Sequence, residues 1–136
     1  ISHDAIDAIA RYSLPQGGPP TLLFAEIRHA GGAISRVGAD EAAFSHRHNP
    51  FSLEMVGITP TPEALEHFHR HTDDLKAKIA PCLNDEVYIN FIDGEEARRY
   101  TPNAFSPEAF LRLKQLKAVM DPKNTFRYGL DVPPLI

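Results

Sequence analysis

The 136 residues amount to one ordinary domain, with room for a single core and not for two. Apolar residues make up 43% and charged residues 24%, and no apolar run approaches the ~20 residues of a membrane-spanning helix, which excludes both a disordered chain and a transmembrane one. Fourteen basic against eighteen acidic side chains leave a net charge of -4 with no Lys/Arg block, so nucleic-acid binding has no electrostatic footing. The single cysteine, Cys82, has no internal partner for a disulfide, which fits a reducing cytoplasm. The chain opens on Ile1 without a Met and without the charged and apolar regions of a signal peptide, so it reads as a piece processed or excised from a longer polypeptide.

Ile6, Ile9, Ala10 and Ser13 recur at helical spacing, with Ser2 as N-cap and Ile1 set to staple against Ile6, which predicts a helix over about 3–13. Leu14-Pro-Gln-Gly-Gly-Pro-Pro20 then forces a loop. Alternation over 21–29 predicts a strand, Gly31-Gly32 a turn, and 33–37 and 42–46 two further short strands of an antiparallel meander. Residues 51–59 form the longest strand candidate, closed by Pro60 and Pro62. From Glu63 onward, Leu65, Phe68, Thr72, Leu75 and Ile79 draw the buried stripe of a five-turn helix. Residues 86–92 alternate once more as a strand. Ser106-Pro107-Glu108 starts a last helix whose buried stripe is Ala109, Leu113, Leu116 and Met120, and Asp121-Pro-Lys-Asn124 ends it in a turn.

The sum is an α+β fold, an antiparallel sheet of about five strands with helices packed on one face. Leu23, Ala25, Ile27, Leu53, Met55, Val87 and Ile89 would meet the helices. Glu26, Arg28, Ser52, Glu54, Tyr88 and Asn90 would then share the opposite face with Leu22, Phe24 and Val56, a mixture suited to a cleft or to another domain. No repeat or low-complexity tract interrupts it, and no glycine-rich loop that could cradle phosphate occurs.

Several segments in order carry a resemblance. Ala25-Glu-Ile-Arg-His-Ala-Gly-Gly-Ala-Ile-Ser-Arg36, Ala43-Phe-Ser-His-Arg47, Val87-Tyr-Ile-Asn-Phe91, Phe110-Leu-Arg-Leu-Lys-Gln-Leu-Lys117, Asp121-Pro-Lys-Asn-Thr-Phe-Arg127 and Val132-Pro-Pro134 resemble the C-terminal, substrate-domain part of berberine-bridge-enzyme-like FAD-linked oxidases of the p-cresol-methylhydroxylase type. The resemblance implies that residues 1–136 are the later part of a substrate-binding domain that roofs a flavin. FAD would be gripped mainly by an N-terminal domain of the same polypeptide that lies outside this chain. It further implies hydride transfer from a small-molecule substrate to the flavin, with reoxidation usually by oxygen, and an isolated fragment that is inactive by itself.

Within that resemblance Tyr88 and Asn90 fall in the family's Tyr-x-Asn segment, near both substrate and flavin, and the strand alternation puts them on one face. Members that oxidise hydroxyl groups follow the Asn with a Tyr acting as base. Here that position is Phe91, whose ring takes no proton, so the catalytic base is left unassigned. Arg28 and Glu54 are further substrate-contact candidates on the open face, against the plainer reading of a strand-end ion pair among Glu26, Arg28 and Glu54.

His46-Arg47 reads as a pair anchoring a turn to the backbone. His67 and His71 stand one helical turn apart and could hold one zinc or nickel with Glu63 or Asp74 as a third ligand, but no H-E-x-x-H occurs and no second ligand cluster is fixed by spacing, so they read as a polar helix face and no metal is assigned. Cys82 reads as a small buried hydrophobe. The competing expectation is a noncatalytic α+β module that uses its mixed sheet face to pair with a second copy or another protein.

Overall fold

The computed structural model describes residues 1–15, 17–130 and 132–135, in two compact units. The first comprises Ile1–Arg28 and Leu53–Asn84, the second His29–Ser52 and Asp85–Ile136, and the boundary falls inside two paired strands. The expectations that fall on Gln16 and Asp131 lie outside the described residues.

In the first unit, helix α1 (His3–Ser13) starts where expected, with the Ser2 hydroxyl accepting from Ala5 N at 3.1 Å. This satisfies one of the amides a helix start leaves without an internal acceptor. Ile9 is buried as the spacing requires, together with Ala5, whereas Ile1 and Ile6 are exposed and do not form the expected buried staple. Strand β1 (Phe24–His29) pairs antiparallel with β2 (Phe51–Val56), and Leu23 N donates to Val56 O at 2.7 Å. β2 ends at Val56, short of the expected residue 59, and Gly57 follows. A Cβ there would stand 2.9 Å from Thr21 O and would strike the Phe68 ring, so only glycine lets the chain pass.

Helix α2 (Pro62–Ile79) is capped by Thr61, whose hydroxyl accepts from Ala64 N at 3.2 Å, with Pro62 at its first position. Thr72, Leu75 and Ile79 are buried as the spacing requires, and the Thr72 hydroxyl is satisfied by donating to its own helix, at Phe68 O. Ala5, Ile9, Leu75 and Ile79 form one cluster, with Ala25, Leu53 and Met55 of the strands packed on it. Leu23 and Ile27, expected on the same side, are exposed.

Three of the five expected strands are absent among the described residues. Ile34–Arg36 is a single 3-10 turn: Gly32 has φ +67°, and the Ser35 hydroxyl donates to Gly32 O at 2.9 Å, closing the chain on itself. Residues 42–46 form no regular element, and there Ser45 donates to Ala43 O while Arg47 N donates to Ser45 O. Residues 86–92 stay extended only to Tyr88 and then turn through Ile89–Phe91, with Phe91 N donating to Tyr88 O at 3.0 Å. The sheet therefore has two strands, and α+β describes the chain without the five-stranded layer.

The second unit also holds an unexpected helix, α3 (Gly94–Tyr100), with Glu95 and Glu96 in its first turn and Arg98 and Arg99 in its last, charges that complement the helix dipole. Ala97, Thr101 and Ala104 are buried about it. Helix α4 (Pro107–Met120) begins at the expected Ser106 cap, which accepts from Ala109 N at 3.2 Å. Its stripe is only half realised. Ala109 and Leu113 are half-buried, while Leu116 and Met120 are exposed, and no α4 residue is fully buried. Periodicity tells which residues share a face, not whether anything covers it. Among the described residues, no helix is long and apolar enough to cross a membrane.

Candidate functional site

In the first unit the open face of the strand pair carries the expected ion cluster. Arg28 grips Glu26 with two nitrogens, Nε to Oε1 at 2.8 Å and Nη2 to Oε2 at 3.1 Å. Its Nη2 also stands 3.4 Å from Glu54 Oε2. The guanidinium holds the Glu26 carboxyl below the usual carboxylate range, through hydrogen bonding first and charge second. Glu54 is the most enclosed of the three. Its Oε2 is enclosed and faces the Arg28 charge, beyond hydrogen-bond geometry.

In the second unit Tyr88 and Asn90 meet, with Asn90 Nδ2 donating to the Tyr88 hydroxyl oxygen at 3.1 Å. They do so from a 3-10 turn, not from a strand face as alternation predicts. Tyr88 is half-buried and Asn90 exposed. The Tyr88 ring lies 4.9 Å from Phe91 and 5.4 Å from Phe44, the latter edge-to-face at 84°. The Arg47 guanidinium covers the far contact of that pair, 4.9 Å from the Phe44 ring centre. A phenol that accepts one hydrogen bond still has its O–H to give, so Tyr88 can donate to a ligand while Asn90 orients it.

Behind this turn lies a cluster the sequence reading missed. Glu86 receives Asn49 Nδ2 at 2.6 Å, His46 Nδ1 at 3.1 Å and His48 Nε2 at 3.3 Å. His46 Nε2 meets Asn103 O at 2.7 Å, and Arg47 Nη1 donates to Ile34 O at 3.1 Å, so the anchoring role expected of His46-Arg47 holds. What the sequence withheld was the carboxylate partner, forty positions along the chain.

The helix α2 histidines are put to structural use. His67 Nε2 pairs with the Thr21 hydroxyl at 3.0 Å and His71 Nε2 with Tyr12 O at 2.9 Å, and no metal-binding cluster of three ligands occurs among the described residues. Cys82 is exposed, not buried. Its sulfur lies 3.6 Å from the Ser2 hydroxyl, which lowers its thiol pKa.

Comparison with known proteins adds the family context. The family model described as "Berberine and berberine like" matches residues 87–133, a span holding Tyr88, Asn90, Phe91 and Asp121. FAD-linked oxidoreductase sorD of Penicillium rubens is 25% identical over 99% of this chain and 29% of its own length. The uncharacterized FAD-linked oxidoreductase YgaK of Bacillus subtilis is 30% identical over 77% of this chain and 23% of its own length. Berberine bridge enzyme-like 14 of Arabidopsis thaliana is 29% identical over 76% and 22%. The chain is thus similar to berberine-bridge-enzyme-like FAD-linked oxidoreductases, as the motif series implies, and spans less than a third of each of these three relatives.

Proposed function

We propose that this chain is the substrate-side, C-terminal segment of an FAD-dependent oxidoreductase, joined in one polypeptide to a separate FAD-binding domain. The observation that carries the reading is the Tyr88–Asn90 hydrogen bond inside the span that matches the berberine family, a phenol and an amide held together at a partly open turn. FAD, when bound, would accept a hydride from a substrate carbon, with oxygen as the expected reoxidant. Tyr88 and Asn90 would contact substrate and the flavin edge. The residues present fit that edge, offering a hydroxyl, an amide and the two aromatic faces of Phe44 and Phe91. Glu54 and Arg28 would contact substrate as a pair of opposite charges held together on the open strand face. Phe91 orients the Tyr88 ring and moves no proton. The lone cysteine is compatible with a reducing, cytoplasmic setting.

The test is spectroscopic and needs no substrate. The complete polypeptide is expected to keep FAD through gel filtration, and Asn90→Ala and Tyr88→Phe to change the visible absorption and fluorescence of the bound flavin. A complete polypeptide that retains no FAD, or spectra unmoved in both variants, refutes the reading.

A second reading, a noncatalytic module that pairs with a copy of itself, is favoured by the exposure of Leu116, Val119 and Met120 on α4. It requires a defined dimer in gel filtration of the chain, which Val119→Lys would dissolve.

A further inference from the structure

Tyr88 is held from two directions, and both lead to the loop that carries Phe44 and His46. Phe44 sets its ring edge-to-face on Tyr88, under the Arg47 guanidinium. Two residues on, His46 bonds Glu86, itself two residues before Tyr88. His48 and Asn49 of the same loop reach the same carboxylate. Asn103 O closes the ring of contacts, accepting both from Val87 N at 3.3 Å and from His46 Nε2. Glu86 is therefore the knot that ties the loop to the segment bearing Tyr88.

Resting on the flavin reading above, we propose that Glu86, gripped by His46, His48 and Asn49, is a positioning group that fixes the Tyr88 ring through Phe44, and that the grip is complete only while His46 carries a proton on both ring nitrogens. His46 faces an acceptor on each side, a carboxylate oxygen at Nδ1 and a carbonyl oxygen at Nε2. A neutral imidazole has one N–H and can serve one of them; the imidazolium serves both. His46 is the enclosed member, its side chain 11% exposed against 67% for His48, so its bonds are the ones water replaces least readily. Glu86, His48, Arg47 and Tyr88 are the titratable or charged groups in contact with this cluster. As pH rises and His46 sheds a proton, one of its two bonds is lost, the loop slackens, and Tyr88 loses the fixed edge of Phe44.

The experiment is NMR on the 136-residue chain with carbon-13 in its tyrosine and histidine rings, titrated across roughly pH 5 to 8, where histidines change charge. Tyr88 and His46 signals are assigned by their absence from Tyr88→Phe and His46→Gln. The expected result is a Tyr88 ring shift with the same midpoint as His46. Glu86→Gln, which replaces the carboxylate at His46 Nδ1 by an amide, diminishes the Tyr88 response. Phe44→Leu leaves the His46 midpoint in place and abolishes the Tyr88 response, while Phe44→Tyr, which keeps the ring, preserves it. A Tyr88 signal flat in the parent chain, or undiminished in Phe44→Leu, overturns the proposal. Should Phe44→Leu fail to fold, Glu86→Gln decides: an undiminished Tyr88 response overturns the proposal, and a diminished one upholds it. FAD takes no part in these readouts, so failure of the clasp is separable from failure of the flavin reading, which shows as lost FAD retention by the complete polypeptide.

Discussion

Leu75→Ala is expected to cost about 3 kcal/mol of stability. Leu75 is 0% exposed and lies in one cluster with Ala5, Ile9 and Ile79, side chains from two helices that cannot both close on a smaller residue. Removing three buried carbons forfeits about 2.4 kcal/mol of transfer free energy, at about 0.8 kcal/mol per buried methylene. The void left behind adds the remainder. Ala25, Leu53 and Met55 rest on the same cluster, so the loss reaches the strand pair that carries Arg28 and Glu54. Urea and thermal unfolding give the measurement, with the midpoint temperature falling by roughly 10 °C for a chain of this size. Leu116→Ala is the control: at 57% exposure, it should stay within about 0.5 kcal/mol. A Leu75→Ala cost under about 1 kcal/mol, or a Leu116→Ala cost equal to it, refutes the assignment of the core to the α1 and α2 face.

These two leucines also mark where the sequence can be read and where it cannot. Both sit on regular apolar stripes, and the cap at Ser106 is as plain as the one at Ser2, so helix position follows from local chemistry. Whether a stripe is covered depends on a partner element, which Leu75 has in α1 and Leu116 lacks among the described residues. The strands fail for a related reason. Residues 33–37, 42–46 and 86–92 alternate, yet a strand requires a ladder partner, and here Ser35, Ser45 and the turn at Phe91 bind the backbone locally instead. The Glu26–Arg28–Glu54 cluster was legible because short-range alternation fixed its face. The pairing of Tyr88 with Asn90 was legible as a pair, though a turn and not a strand brings them together. The Glu86 cluster was not, since nothing near His46 points forty residues ahead. Cys82 departs from the tendency of free thiols to be buried, and its exposed sulfur stands beside the Ser2 hydroxyl at the start of α1.

Ser2→Ala should do two things at once. It removes the α1 cap, costing about 1 kcal/mol in urea unfolding, and it removes the hydroxyl that holds the Cys82 thiol pKa down, so thiol alkylation at neutral pH slows; an unchanged alkylation rate would reject the Ser2–Cys82 contact. Asp121 offers the pH test. Its carboxylate takes Lys117 Nζ at 2.6 Å, Thr125 N at 2.7 Å and Phe126 N at 3.0 Å, and these donors, the Lys117 ammonium foremost, hold it well below the usual carboxylate range. A depressed folded-state value contributes stability that is fully present above the ordinary value of 3.8 and lost as pH falls through the lower folded one. Asp121→Asn keeps the side chain's size but surrenders the charge, so it should be clearly less stable than the parent at neutral pH, with the gap narrowing below about pH 4 as the unfolded parent takes up a proton that the folded one still refuses. Because Lys117 Nζ also donates to Phe126 O at 2.7 Å, the same variant should speed amide exchange at Thr125 and Phe126 while leaving α2 protected. A stability gap that stays constant down the acid range would mean that the three donors act by shape alone, and the electrostatic account of this turn would be wrong.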